Sequence, residues 1–238
     1  MRLGSGSVEL QRSLFAGGPP AVRPDTAVQR VPLGSGAWID TCTGWLAGAD
    51  DLLDVLAETV AWQQGRRRMY DRVLDDPRLS CRCRDGEPLP HPVLGAARVA
   101  LGAQYGVRFG PVGLNYYRDG RDSVAPHADR ELRVLDDTLV AVLTLGARRP
   151  FLVRPTGGGP SVDLAPASGD LLVMGGSCQR HFQHAVPKVA RCGPRISATW
   201  RFAGTRAQEP VVTRTPSNRS CSYSPSGTET STSDRARS

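Results

Sequence analysis

Two histidines and one aspartate in this sequence have the types and the spacing of a metal-binding set. His127 and Asp129 stand two positions apart, and His184 follows much later in the chain. Two imidazoles and one carboxylate form the facial triad that binds non-haem Fe(II) and leaves coordination positions open for oxygen and a cosubstrate. Side chains two positions apart leave the same face of a β-strand, so one strand can present His127 and Asp129 together. The chain has four histidines, and two of them occupy these positions.

A segment that alternates between polar and apolar residues follows this set. Its polar positions are Arg195, Ser197, Thr199 and Arg201, and its apolar positions are Ile196, Ala198, Trp200 and Phe202. Such alternation is typical of a strand with one ligand-facing side and one packed side. Arginine grips a carboxylate through two parallel hydrogen bonds. Asn115 and Tyr117 form a second same-face pair that can donate hydrogen bonds to an acid. The pattern predicts an iron enzyme that uses an organic acid.

Larger motifs surround these residues in a fixed order. They are Asn-Tyr-Tyr-Arg-Asp-Gly at 115–120, Asp-Ser at 122–123, His-Ala-Asp-Arg-Glu at 127–131, Gly-Asp-Leu-Leu-Val-Met at 169–174, His-Ala-Val-Pro-Lys at 184–188 and Pro-Arg-Ile-Ser-Ala-Thr-Trp-Arg at 194–201. The set resembles the AlkB family of Fe(II)/2-oxoglutarate dioxygenases over residues 69 to 202. An isolated His-x-Asp is common by chance, whereas the ordered set is specific.

The resemblance implies a role for each matched residue. On this basis His127, Asp129 and His184 bind Fe(II) and carry the catalysis. The residues implied to bind the cosubstrate 2-oxoglutarate are Asn115, Tyr117, Arg195, Ser197, Thr199 and Arg201. Within that set, Arg195 is expected to pair with the far carboxylate. Arg201 is expected to approach the carboxylate that chelates the iron together with the keto oxygen.

The same resemblance implies an oxidative demethylase of N-alkylated bases in DNA, such as 1-methyladenine and 3-methylcytosine, with RNA as a further candidate. Members of the family hydroxylate an N-methyl group, and the product collapses to formaldehyde and the repaired base. Glu131 matches an acidic position that touches the exocyclic amine of the damaged base. A solvated charge near Arg130 and Arg133 is an equally good interpretation of Glu131.

A basic segment at about residues 66–90 resembles the family's nucleotide-recognition region. It contains Arg66-Arg67-Arg68-Met69-Tyr70 and Pro77-Arg78-Leu79-Ser80. We expect its arginines, Arg78 among them, to contact phosphates; the alternative is a solvated basic run before a turn. Where the family carries an aromatic side chain that stacks on the flipped base, this chain has Cys81-Arg82-Cys83. We expect Arg82 to stack through its guanidinium plane.

Two other functions remain open at this stage. One is a 2-oxoglutarate-dependent hydroxylase of a protein or a small molecule, and the other is a catalytically weak relative that binds nucleic acid. The net charge of +7 favours a polyanionic partner, single-stranded or damaged DNA before others. The metal set and both arginines favour an enzyme.

The composition sets expectations for the location of the protein. The chain has no apolar run long enough to span a membrane and no secretory signal, so we expect no membrane association. Its six cysteines show no Cys-x-x-Cys spacing. We interpret them as reduced thiols of a cytoplasmic protein, which we expect to be a monomer.

The order of predicted elements favours an α+β fold. Helices are predicted at 50–64, capped by Asp50, and at 92–105, where Pro92 begins and Gly106 ends the pattern. Short strands follow at 139–145, 151–154, 162–164, 170–174 and 195–202. This order predicts a double-stranded β-helix, or jelly-roll, with N-terminal helices packed against it. We expect residues 1–32 to form a flexible arm, 33–204 the dioxygenase domain and 205–238 a disordered tail.

Overall fold

Antiparallel sheets and helices make up the part of the chain that this computed structural model describes, which is residues 18–69 and 71–204. The strands are β1 Ala21–Val22, β2 Gln29–Gly34, β3 Ala37–Cys42, β4 Leu46–Ala47, β5 Gln63–Met69, β6 Arg72–Arg82, β7 Gly113–Tyr117, β8 Val124–His127, β9 Thr138–Gly146, β10 Leu152–Pro155, β11 Val162–Asp163, β12 Leu171–Gly176, β13 Phe182–Val186 and β14 Arg195–Ala203. The helices are α1 Ala49–Thr59, α2 Pro92–Tyr105 and α3 Cys178–His181.

The strands form two principal sheets. The major sheet has the order β2-β3-β12-β9-β14-β7-β6-β5, and the minor sheet has the order β11-β10-β13-β8. Neighbours in both sheets run antiparallel. The two sheets share one core, in which Val142 and Met174 of the major sheet pack with Val153 and Val186 of the minor sheet. This arrangement confirms the predicted α+β jelly-roll.

A second core lies between the other face of the major sheet and the helices. Alternate residues of β9 divide between the two cores: Leu139 and Leu143 belong to the helix-side core, and Val140 and Val142 to the inter-sheet core. Strand β9 is therefore buried along its whole length. Because the helices cover one face, the minor sheet and the major sheet enclose the interior in which the predicted metal ligands lie.

Helix α2 has the predicted boundaries. The His91 side chain accepts a hydrogen bond from the Val93 backbone at 3.2 Å, and Pro92 begins the helix. Gly106 ends it in the left-handed region, at φ 64°, a conformation that glycine adopts without steric cost.

Helix α1 ends earlier than predicted. Val60 is already extended, and Gln63 begins β5, so the predicted helix to residue 64 is wrong in its last turn. The predicted cap is also wrong: Gly48, at φ 63°, precedes the helix. Asp50 instead accepts a hydrogen bond from the Ser168 hydroxyl at 2.5 Å, which joins α1 to the loop before β12.

The domain begins before residue 33, the predicted boundary. Strand β2 pairs with β3 from Gln29 onward. Arg30 donates hydrogen bonds to the buried carboxylate of Asp40 from Nε at 2.7 Å and from Nη2 at 2.8 Å, and Tyr105 of α2 donates to the same carboxylate at 3.0 Å. Earlier in the same segment, β1 pairs with β4, and the Gly18 backbone donates a hydrogen bond to Asp51 at 2.8 Å, so the segment that the sequence assigns to an arm is hydrogen-bonded to the domain well before residue 29. Residues 1–17 and the predicted tail at 205–238 lie outside the described residues.

None of the described helices is long and apolar enough to cross a membrane.

The described cysteines carry free thiols. Cys42, Cys83 and Cys178 are buried, whereas Cys81 and Cys192 are partly exposed. Burial raises the pKa of the Cys178 thiol to about 12, so this cysteine is a protonated, apolar part of the core.

The Arg30–Asp40 pair gives a prediction about stability. Arg30→Ala removes two hydrogen bonds from a carboxylate that is 1% exposed, and a buried acceptor that loses its partner is destabilising. Because the Arg30 side chain is itself 53% exposed, we expect the free energy of unfolding to fall by about 1–2 kcal/mol, measured by urea denaturation. The control is Arg84→Ala, which breaks an exposed pair with Glu87 and should cost less than about 0.5 kcal/mol. Equal losses in the two variants would contradict the role given to Asp40.

Candidate active site

The predicted metal ligands meet in the interior between the two sheets. His127 ends β8, Asp129 follows it, and His184 lies on β13 directly opposite His127 in the antiparallel register. The two imidazole rings are 4.3 Å apart between centroids. One donor atom from each of the three residues lies within 4.8 Å of the others. Three donors at this separation can ligate one ion, with the chemistry expected for a facial triad.

The surroundings of the two histidines orient them as ligands. His127 Nδ1 lies 2.9 Å from the carbonyl oxygen of Ala125, so a proton on Nδ1 is donated to that oxygen and Nε2 keeps its lone pair. His184 stacks against Phe151 with a centroid distance of 5.7 Å and an interplanar angle of 12°. Burial, aided by the neighbouring His127, lowers the pKa of His184 to about 3. His184 is therefore uncharged at neutral pH.

Asp129 is held by two residues from distant parts of the chain. Arg201 donates hydrogen bonds to its two carboxylate oxygens, from Nε at 2.8 Å and from Nη2 at 3.1 Å. The buried amide oxygen of Gln179 accepts a hydrogen bond from the Asp129 backbone at 2.9 Å. Burial alone would raise the pKa of Asp129, but the hydrogen bonds and charge of Arg201 outweigh burial and lower it. The carboxylate is therefore ionised and fixed in orientation.

A cavity of about 350 Å³ adjoins the three ligands. Predicted cosubstrate residues that line it are Asn115, Tyr117, Ser197, Thr199 and Arg201, and its apolar lining includes Val140, Val142, Phe151 and Val186. The register of β14 against β7 brings the polar residues together, because Ser197 lies opposite Asn115. The polar face of β14 thus points to the ligands while its apolar face packs against the helices.

Arg195 lies beneath this lining and is fully buried. Its Nη2 donates to the Thr144 hydroxyl at 3.1 Å, whereas its Nε and Nη1 have no hydrogen-bond partner among the described residues. Burial lowers the pKa of Arg195 to about 10, so the side chain remains positive at neutral pH. A buried charge with two unused donors is unfavourable unless an anion binds to it. A carboxylate is the ligand that this guanidinium fits.

The residues predicted to contact substrate divide into two groups. Arg78 and Arg82 line the cavity, and Arg78 Nε donates to Asn115 Oδ1 at 3.0 Å. The structure does not bring Glu131 to the cavity. Residues after Asp129 form a turn, with Leu132 N donating to Asp129 O at 2.9 Å, and this turn buries Leu132 and leaves Glu131 exposed.

The predicted recognition region is a hairpin. Strands β5 and β6 pair at the edge of the major sheet. The alternative interpretation of this segment from the sequence was a solvated basic run before a turn. Arg66 pairs with Asp75 at 3.0 Å on the exposed surface. The inner end of β6 borders the cavity through Asp76, Arg78, Ser80, Cys81 and Arg82, so one strand joins the basic hairpin to the metal ligands.

Sequence reasoning missed two residues that support the site. Gln179, on the short helix α3, and Arg149, in the loop before β10, are both buried. Neither belongs to a motif, although Gln179 lies five positions before His184 in the sequence. The buried polar character of each could be recognised only after the fold had been determined.

Comparison with known proteins matches the chain to a family of oxygenases. The family model for the 2OG-Fe(II) oxygenase superfamily matches residues 55–206. The chain is 32% identical over 197 residues to the mouse alpha-ketoglutarate-dependent dioxygenase alkB homolog 3, covering 74% of this chain and 67% of that protein. It is 32% identical over 119 residues to the human DNA oxidative demethylase ALKBH2, covering 46% of each chain. The chain spans 60 to 67% of the length of the mammalian alkB homolog 3 proteins it matches.

The fold also has a counterpart among solved structures. A prolyl hydroxylase from Trichoplax adhaerens, in complex with a hypoxia inducible factor oxygen degradation domain peptide fragment, matches with a TM-score of 0.52 and 13% identity. The match covers 69% of this chain and 83% of that one, and it concerns the fold alone. With the family model, the mammalian relatives and the ligand geometry in agreement, the chain belongs to the AlkB family of the 2OG-Fe(II) oxygenase superfamily.

Proposed function

We propose that this chain is an oxidative demethylase of N-alkylated bases in DNA, such as 1-methyladenine and 3-methylcytosine, with RNA as a second substrate. The observation that carries the proposal is a single cavity lined both by the metal ligands and by Arg78 and Arg82 of β6. Its volume, about 350 Å³, is in the range of pockets that bind small organic groups. A relative of similar sequence is named a DNA oxidative demethylase.

The residues present fit Fe(II) and 2-oxoglutarate, the cofactor and cosubstrate of the family. His127, Asp129 and His184 would hold the metal, which supplies the oxidation of an N-methyl group when oxygen and 2-oxoglutarate are bound. The unused donors of Arg195 fit the far carboxylate of 2-oxoglutarate, and the polar residues of β14 and β7 add hydrogen-bonding groups beside it. Arg201 keeps Asp129 ionised and oriented through its two hydrogen bonds.

The substrate would approach along the hairpin. The net charge of +7 favours a polyanion, and the arginines of β5 and β6 can contact phosphates without regard to sequence. A methylated base leaves the stack more easily than a paired normal base because its pairing is already damaged. Arg78, fixed by its hydrogen bond to Asn115, would meet the extruded base at the cavity wall, and Arg82 would provide a planar stacking surface at the rim.

Three further expectations from the sequence belong to this proposal. A monomeric state, a cytoplasmic location and the contact of Glu131 with the base stay predictions. The two competing functions, hydroxylation of a protein or small molecule and binding of nucleic acid without turnover, are outcomes of the experiments below.

Loss of one metal ligand should abolish turnover. Asp129→Ala removes an ionised ligand, so we expect no detectable formaldehyde release from an oligonucleotide carrying 1-methyladenine and a large loss of Mn(II) affinity. Thermal unfolding should show that the variant remains folded. The matched control is Glu131→Gln, an exposed acid two residues away, which should bind Mn(II) as the wild type does. Full activity of Asp129→Ala with metal still bound would contradict the assignment.

Arg195 should determine the affinity for 2-oxoglutarate. Breaking a buried ion pair on one side costs about 3–5 kcal/mol, which corresponds to more than about a hundredfold in affinity. We therefore expect Arg195→Gln to raise the KM for 2-oxoglutarate by at least that factor. Arg191→Gln, at a nearby exposed arginine, should leave the KM unchanged. An unchanged KM in Arg195→Gln would remove Arg195 from the cosubstrate site.

Nucleic-acid binding should depend mainly on electrostatic contacts with phosphates and, to a smaller extent, on stacking of a base on Arg82. Binding to a single-stranded methylated oligonucleotide should weaken steeply as salt rises, because phosphate contacts release counterions. Arg82→Trp should tighten binding, since an aromatic ring on a base contributes about 1–3 kcal/mol. Arg84→Trp is the matched control: Arg84 lies in the neighbouring groove but does not line the cavity, so the added ring should have no such effect. The affinities of the wild type and of both variants for the oligonucleotide should be measured by fluorescence anisotropy at two salt concentrations.

One combination of results would favour the alternative enzyme. It is salt-independent binding without formaldehyde release, together with 2-oxoglutarate turnover that a peptide or metabolite stimulates. Salt-sensitive binding without any turnover would instead favour the catalytically weak relative.

A further inference from the structure

Arg149 is buried, charged and outside every motif of the sequence. It is 2% exposed and lies in the loop between β9 and β10. Its Nη1 donates to the carbonyl oxygen of Asp119 at 3.1 Å, and its Nη2 donates to the carbonyl oxygens of Asp122 at 2.8 Å and Pro187 at 2.6 Å. One guanidinium therefore binds three backbone carbonyls from two separate segments.

Those two segments adjoin the strands that carry the histidine ligands. Asp122 precedes β8, which ends at His127, and Pro187 follows β13, which contains His184. The ladder between these strands is irregular, with a register shift between the His184 pair and the Val186 pair. Where ladder pairing is interrupted, the strand spacing depends more on other contacts. Arg149 provides such a contact at the end of the ladder nearest the shift.

Arg149 also adds charge to the proposed acid site. Its guanidinium carbon lies 5.4 Å from the centroid of the Tyr117 ring, and that of Arg195 lies 5.6 Å from the same centroid. Among the described residues, no carboxylate is hydrogen-bonded to either guanidinium. In the part of the chain that the structure describes, the Nε of Arg149, like the Nε and Nη1 of Arg195, is buried without a hydrogen-bond partner. Two buried positive charges beside one ring favour a ligand with negative charge.

We propose that Arg149 is a positioning residue, which holds β8 and β13 at the spacing that lets His127 and His184 share one metal ion and which keeps Tyr117 and Arg195 in place for a dicarboxylate. This inference rests on the proposed metal and 2-oxoglutarate site. It assigns to Arg149 an effect on ligand affinity that a contact serving only stability would not have.

The experiment compares ligand affinity with stability in the full chain. Arg149→Met removes the charge and the donors at similar length, and Arg149→Lys keeps the charge but cannot reproduce the planar fork. The matched control is Arg148→Met, since Arg148 is exposed and donates to one carbonyl, that of Ala165, at 2.7 Å. A second control is Leu101→Ala, in the core on the helix side of the major sheet, which lowers stability away from the site. The probes are Mn(II) and then 2-oxoglutarate added to the Mn(II)-loaded protein, both by calorimetry, together with thermal unfolding without metal.

We expect Arg149→Met to weaken binding of Mn(II) and of 2-oxoglutarate by about tenfold or more, since residues that orient metal ligands commonly have effects of about 10–100-fold. Arg149→Lys should lie between this variant and the wild type. Arg148→Met and Leu101→Ala should bind both probes as the wild type does, although Leu101→Ala unfolds at lower temperature. If Arg149→Met does not fold, Arg149→Lys decides the question by the same criterion.

Wild-type affinity in a folded Arg149 variant, whatever its melting temperature, would overturn the inference and leave the proposed function intact. Failure of the wild-type chain to bind Mn(II) and 2-oxoglutarate would overturn the proposed site, and this inference with it.

Discussion

The pairing of β8 with β13 is the constraint on which the site depends. Two histidines from distant parts of the sequence become metal-ligand neighbours only because the antiparallel register sets His184 opposite His127. A shift of one residue would turn one imidazole to the opposite face of its strand. The register is fixed by apolar residues on the same inner face, such as Val186 and Val153, which pack in the inter-sheet core. The metal centre is thus specified by hydrophobic packing before any ion is bound.

The major sheet serves two environments at once, and β14 demonstrates how. Its apolar residues, Ile196 and Trp200 among them, belong to the core against the helices, whereas its polar residues face the cavity or lie just beneath it. Such a strand cannot move to suit a ligand without disturbing the helix-side core. This rigidity is useful for a site that must hold a metal ligand and an acid in a fixed relation, because positioning groups in advance lowers the cost of reaching the reactive geometry.

Short sequence patterns predict some helices and strands of this fold but not others. Helix α2 carries its own boundary residues, Pro92 and Gly106, so its limits follow from the sequence. The polar face of β14 follows from strict alternation. The hairpin of β5 and β6 could not be recognised, because a run of arginines has no apolar period and no glycine marks the turn.

The site shows the same division between local and long-range information. The three metal ligands belong to motifs that can be read in order along the chain. The motif position of Glu131 does not reveal the turn that starts at Asp129 and leaves this side chain exposed. Arg149 and Gln179 act on backbone groups of segments far away in sequence. A contact with a backbone carbonyl or amide requires no particular residue type from its partner, so no paired pattern exists in the sequence to reveal it.

The arginines around the cavity differ in depth and in charge pairing, and the proposed function gives each of them a different anion. The carboxylate of Asp129 is matched by Arg201, with two short hydrogen bonds, so this pair has little charge left for an incoming ligand. Among the described residues, Arg195 and Arg149 have no carboxylate partner, and both are buried beside Tyr117, where the proposed function places the dicarboxylate. Arg82 lies at the exposed rim, where phosphate is accessible and salt screening is strong. Under the proposed function, depth separates the two ligands: the buried guanidiniums bind the organic acid, and the exposed ones attract the nucleic acid.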